Sequence, residues 1–144
     1  MSKSNATEND YVKFEANAVA MPAYGANLQI NMHTADPGEA GTATTSAPTY
    51  TGYAAINVAR DGTGLEICDG TSPYAANAAG PAYKNAAIVL FAECTGGTDT
   101  ITHTSVSVIA TGQILRSAAM TASLNVSNGI TPLFPAGTLI YIED

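Results

Sequence analysis

Tryptophan is absent from this 144-residue chain, phenylalanine occurs three times, and lysine and arginine together number five. With so few large aromatics, any core must be built from aliphatics and from the seven tyrosines. Five cations against twelve acids give a net charge of −7. So few cations neutralise few phosphates, which argues against direct nucleic-acid binding. Charged residues make up 12% of the chain, about half the usual ~25%. No stretch approaches the roughly 18 apolar residues of a membrane helix, so no membrane partner is expected. The opening Met-Ser-Lys-Ser-Asn-Ala-Thr-Glu-Asn-Asp lacks the apolar core of a secretory leader. Two cysteines, Cys68 and Cys94, stand without a C-x-x-C pairing. They read as small buried residues, although their spacing leaves a late disulfide open.

What is present is small and β-branched. Apolar residues reach 46%, much of it alanine. Residues 1–10 are polar and without pattern, which predicts a flexible N-terminal arm before a single β domain over 11–144. Tyr11–Ala20 suits either a short helix or a strand. Strict alternation in Asn27-Leu28-Gln29-Ile30-Asn31-Met32-His33 predicts a strand with Leu28, Ile30 and Met32 on the core face. Asp36-Pro37-Gly38 then turns the chain into a loop of small polar residues over Glu39–Tyr50.

Further strands are expected over Thr51–Arg60, Leu65–Cys68, Ala86–Phe91, Thr100–Ala110, Met120–Val126 and Thr138–Ile142. The apolar run Ala86–Phe91 reads as a central strand covered on both faces. In Thr100–Ala110 the inward candidates are Ile101, Val106 and Val108. Residues 71–85 read as an irregular excursion, with a helical turn near Ala75–Ala79. The pattern predicts an all-β fold, an antiparallel, jelly-roll-like sandwich or barrel of seven or eight short strands.

Candidates for chemistry are few. His33 with Asp36 and Glu39 is a conceivable metal trio, but alternation puts His33 on the polar face, and an exposed histidine beside an ordinary turn explains it as well. His103 shares a face with Ser105 and Ser107, the raw material of a nucleophile–base pair, yet no third group is placed. Asp61, Glu66 and Asp69 are acidic, but their spacing does not follow the EF-hand pattern. No catalytic residue, metal or cofactor is therefore expected. Tyrosines 50, 53, 74 and 83 offer area with a polar tip, which suits interfaces and sugar-binding faces as well as packing.

The run His33-Thr34-Ala35-Asp36-Pro37-Gly38-Glu39-Ala40-Gly41, with Tyr50-Thr51-Gly52-Tyr53-Ala54, resembles a group of small tailed-bacteriophage virion proteins. So do Phe91-Ala92-Glu93-Cys94-Thr95-Gly96-Gly97 and Ser127–Pro132 followed by Pro135-Ala136-Gly137. Members are labelled capsid cement (decoration) protein or tail-fibre protein. The resemblance implies a non-enzymatic protein, made in the bacterial host cytoplasm and seated on the capsid exterior against the major capsid protein. Cement proteins in general lead one to expect a homo-oligomer, a trimer first. The alternative is a tail- or fibre-associated protein that binds host glycan or another tail subunit. Tyr11, Val12 and Phe14, directly after the polar arm, are the expected anchors on a partner, with Tyr50 and Tyr53 beside them. A small hydrolase or metal enzyme using His33 or His103 is the third reading.

Overall fold

The computed structural model describes residues 3–68, 70 and 80–142. Among them are one helix, α1 (Asn5–Asn17), and nine strands. These are β1 (Asn27–His33), β2 (Ile56–Ala59), β3 (Leu65–Cys68), β4 (Ala82–Asn85), β5 (Val89–Leu90), β6 (Thr98–Val108), β7 (Ile114–Ser127), β8 (Leu133–Phe134) and β9 (Ile140–Ile142). All pairings are antiparallel. A four-stranded sheet runs β2-β1-β6-β7, a three-stranded sheet β3-β4-β9, and a two-stranded sheet β5-β8. The fold is all-β and sandwich-like.

The expected apolar face of β1 forms as read. Leu28, Ile30 and Met32 are buried beside Val106 and Val108 of β6. Ile101 is buried too, although it differs in parity from Val106. A register shift makes this possible: between Ile101↔Leu124 and His103↔Ala119, β6 advances two residues while β7 advances five. The four residues Met120–Ser123 stand opposite Thr102 alone, a surplus of three that bulges from β7 and re-aims both strands. Across the core, the Tyr141 hydroxyl of β9 donates to Thr104 Oγ1 of β6 at 3.0 Å, so one buried bond ties two sheets together.

Several expectations are corrected. The N-terminal stretch read as a patternless arm is helical from Asn5. Ser4 caps that helix by accepting from Thr7 N–H, and Ser4 Oγ and Thr7 Oγ1 both donate to Ile114 O, at 2.6 and 2.8 Å. The helix is pinned by its polar first turn, and Thr7 is its buried residue; a search for apolar periodicity misses such an attachment. The run 86–91 gives only the two-residue strand β5, with Ile88 and Leu90 exposed. It lies in a separate two-stranded sheet, not at the centre of a larger one. Part of the 71–85 excursion is β4, which pairs with β3 and β9. Tyr74 and the helical turn expected near 75–79 lie outside the described residues.

Buried Asn85 organises the corner before β9. Its Nδ2 donates to Ala87 O and Pro135 O, both at 2.8 Å, and its Oδ1 accepts from Leu139 N at 2.9 Å. One amide thus supplies the partners that an irregular Pro-Gly turn cannot find in a ladder.

Candidate functional site

His33 is fully buried, not exposed as alternation predicted. The polar side of β1 is covered where the 39–50 loop returns: Thr34 N–H donates to Ser46 O at 2.8 Å, and His33 Nδ1 lies 2.7 Å from Thr45 O. A carbonyl only accepts, so Nδ1 carries the proton and Nε2 is an acceptor. Ser105 Oγ, 2.7 Å from Nε2, is then the donor to it. Asn31 Nδ2 donates to Ser105 Oγ at 3.2 Å and to Ser107 Oγ at 2.9 Å. The result is a polar layer inside the fold whose donors and acceptors match. Burial holds the His33 pKa below its usual 6.5, opposed by the bond to Thr45.

The sequence paired Ser105 with His103; the structure pairs it with His33. His103 Nδ1 instead lies 2.9 Å from Thr102 Oγ1. Although the His33–Ser105 separation suits proton transfer, both side chains are fully buried, and the group behind the imidazole is a backbone carbonyl. As built, the pair holds the loop and offers no face to a substrate. Asp36 Oδ1 accepts from Gly38 N–H in a turn. Among the described residues no three His, Cys, Asp or Glu side chains gather as metal ligands. Asp61 Oδ1 accepts from Thr63 N–H and Oγ1–H, Glu66 pairs with Lys84 at 3.1 Å, and Asp69 lies outside the described residues.

Tyr50 and Tyr53, read as partner anchors, are turned to packing. Tyr50 is buried, meets Tyr53 edge-on at 5.7 Å, and burial pushes its phenol up to about 12. Tyr53 stacks on Phe91, and Phe91 meets Phe134 edge-on. The Tyr53 hydroxyl accepts from Met32 N–H at 3.1 Å and donates to Met32 O at 3.3 Å. It stands where β2 has ended, since the β1–β2 pairing stops at Ile30↔Ile56. Cys68 and Cys94 are both free and buried.

Among the described residues, two groups of exposed apolar side chains bear on function. On α1, Tyr11, Val12 and Phe14 are 39, 59 and 53% exposed, as suits the expected anchors, though on a helix and not a loose arm. On the β5–β8 sheet, Leu90 and Leu133 are direct cross-strand partners. They are 53 and 46% exposed, while their neighbours Val89 and Phe134 enter the core. Ile88 extends the apolar face by strand alternation and is also exposed. Held on paired backbone, these side chains form a fixed apolar surface, not a scatter of single residues.

A cleft of about 290 Å³ lies between α1 and β3–β4, lined by Tyr11, Tyr24, Leu65, Tyr83, Arg60 and Arg116 among others. No helix among the described residues is long and apolar enough to cross a membrane. A family model described as Podophage GP4 fiber I protein gp80 matches residues 2–141 of the chain. No curated protein matches it.

Proposed function

We propose a docking role for this chain, which belongs to the podophage GP4 fiber I protein family and is a structural protein of the phage virion. Its work is to fit between other virion proteins at a fibre, without making or breaking covalent bonds. The observation that carries this reading is the Leu90–Leu133 face: a cross-strand leucine pair exposed to solvent on a sheet whose other side is core. Leucine is costly to leave wet, at roughly 25 cal/mol per Å², and a neighbouring subunit covers it. Tyr11, Val12 and Phe14 of α1 form a second contact region. A copy of this chain or another fibre subunit is the partner.

The test is incorporation. Leu90→Asp with Leu133→Asp changes exposed positions, so the domain stays folded by circular dichroism. Particles assembled with it as the only copy should lack the protein. Full occupancy of those particles would overturn the docking face.

A second reading is capsid cement on the shell exterior against the major capsid protein. An antiparallel domain of three sheets suits a seam between capsomers as well as a fibre. Binding only the mature lattice stabilises that state by mass action, and a trimer is the expected oligomer. Copy number separates the two: hundreds of copies per virion support cement, and tens or fewer support the fibre.

A further inference from the structure

The charges of this chain are sorted in space. Against twelve acids it has five cations, and four of the five gather at the cleft between α1 and β3–β4. Arg60 and Arg116 line it. Lys3 Nζ lies 5.1 Å from the centre of the Tyr11 ring, which is a wall of the same cleft. Lys84 Nζ meets the lining Glu66 at 3.1 Å. Two acids stand there as well, and both are engaged: Glu66 by Lys84, and Asp10 Oδ2 by Gln113 Nε2, which donates to it at 2.9 Å. A protein of net charge −7 thus carries one basic rim.

Inside that rim the walls are mostly apolar, from Leu28, Leu65, Ile67 and Leu115 and the Tyr11 ring. Leu28, Leu65 and Leu115 form the buried floor, while Ile67 and Tyr11 are exposed. Apolar surface of this kind is costly to leave wet. At the mouth stands Arg60, itself exposed. Its Nη1 donates to Gly25 O at 2.7 Å, and the guanidinium lies 5.8 Å from the Tyr24 ring centre. A guanidinium has five N–H donors in a planar fork, so Arg60 can hold this place and still meet a carboxylate.

We infer that this cleft receives an acidic segment of a neighbouring virion protein, with one bulky apolar side chain filling the hollow and a flanking carboxylate meeting Arg60. The inference rests on the docking role and names the chemistry of the partner at the α1 contact region. At about 290 Å³ the hollow sits at the lower limit of the roughly 300–1,000 Å³ usual for small-molecule sites, which suits a single anchoring side chain. The basic rim steers an acidic surface toward the cleft, and the acids spread over the rest of the chain repel it elsewhere. Charge thus selects where the partner lands, and the apolar hollow holds it. The cleft shares no residue with the Leu90–Leu133 face, and its test uses the isolated chain, so a failure here leaves the incorporation experiment standing.

The test titrates the isotope-labelled full chain with three end-capped tripeptides: Asp-Phe-Asp, its neutral counterpart Asn-Phe-Asn, and Asp-Ala-Asp, which lacks the ring. Asp-Phe-Asp should shift the amides of Leu28, Leu65 and Leu115. Asp-Ala-Asp should bind about tenfold more weakly, for want of the apolar anchor, and Asn-Phe-Asn about threefold more weakly, for want of the charge. Arg60→Gln, a change at an exposed position, should weaken Asp-Phe-Asp by about the same threefold and leave Asn-Phe-Asn unchanged, which assigns the carboxylate to Arg60. Raising sodium chloride from about 20 to about 300 mM should act in the same direction and on the acidic peptide alone. The inference is overturned if Asp-Phe-Asp moves none of these amides at about 10 mM, close to the weakest binding worth the name, or if Asn-Phe-Asn binds equally well. It is overturned too if the same amides shift when the protein alone is concentrated, since the occupant would then be a second copy.

Discussion

Ser105 Oγ and His33 Nε2 lie 2.7 Å apart on neighbouring strands β6 and β1, sealed from solvent. The serine donates to the imidazole, the imidazole donates to the Thr45 carbonyl, and the Asn31 amide donates to the serine. One histidine thus locks the 39–50 loop to the sheet. The arrangement suits the neutral ring, since a second N–H on Nε2 would force the serine hydroxyl to turn from donor to acceptor.

Stability should therefore fall in mild acid. The folded pKa of His33 is lowered from 6.5, chiefly by burial. Below about pH 6.5 the unfolded chain takes up a proton that the native state refuses, so this contribution is intact above 6.5 and declines as pH falls toward the folded value. The slope approaches about 1.4 kcal/mol per pH unit for one proton. Urea unfolding at pH 7.5, 6.5 and 5.5 measures it. His33→Gln, although less stable at neutral pH, should lose that component of the slope.

Asn85→Ala should be among the most damaging single changes. It removes two donated bonds and one accepted bond from a fully buried position. At about 1 kcal/mol per lost bond, plus the cost of stranded carbonyls, a loss of roughly 3–4 kcal/mol is expected. A denaturant midpoint comparison with Asn85→Asp separates the amide donors from the acceptor, and an unchanged midpoint in Asn85→Ala would refute this account.

Ala18 ends α1 in the left-handed region at φ 52°, where Val19 N–H closes the helix onto Lys13 O. A Cβ there costs about 1 kcal/mol relative to glycine. Ala18→Gly should therefore raise the melting temperature by a few degrees, against the usual direction of a glycine substitution. A fall would mean that α1 does not end there in solution.

Tyr53→Phe keeps the ring stack on Phe91 but removes the hydroxyl that serves Met32 N–H and O. Met32 is fully buried, so a cost of about 1–3 kcal/mol is expected. Amide exchange read at Met32 should quicken more than at Ile30, whose neighbour across the ladder is Ile56. Equal exchange at the two positions would contradict the bridging role.

Local patterns made much of the sheet legible. Alternation identified β1 and its core face, and the span Leu65–Cys68 is β3 to the residue. Antiparallel all-β architecture followed from short strands between turn residues. The family's virion character was also readable, in its resemblance to small phage proteins. Tyr11, Val12 and Phe14 were legible as an apolar cluster, and they are exposed, though the helix that carries them was not legible, because α1 attaches through Ser4 and Thr7 hydroxyls to a carbonyl more than 100 residues away.

The cleft was not legible at all. Tyr24, Leu65, Tyr83 and Arg116 come from four separate segments, and no spacing rule relates them. The same limit explains Tyr50 and Tyr53, whose size marked them as important without showing which way they turn.

By itself, then, the order of apolar, polar and turn residues determined that this chain forms antiparallel strands, and where many of them lie. Periodicity is a local property, felt within a few residues. Only the tertiary structure decided which polar face stays wet. Asn31, His33, Ser105 and Ser107 look like a solvated edge in sequence, yet all four are buried, with the 39–50 loop closing over His33. Burial depends on what packs above a strand, and the strand's own residues carry no record of it.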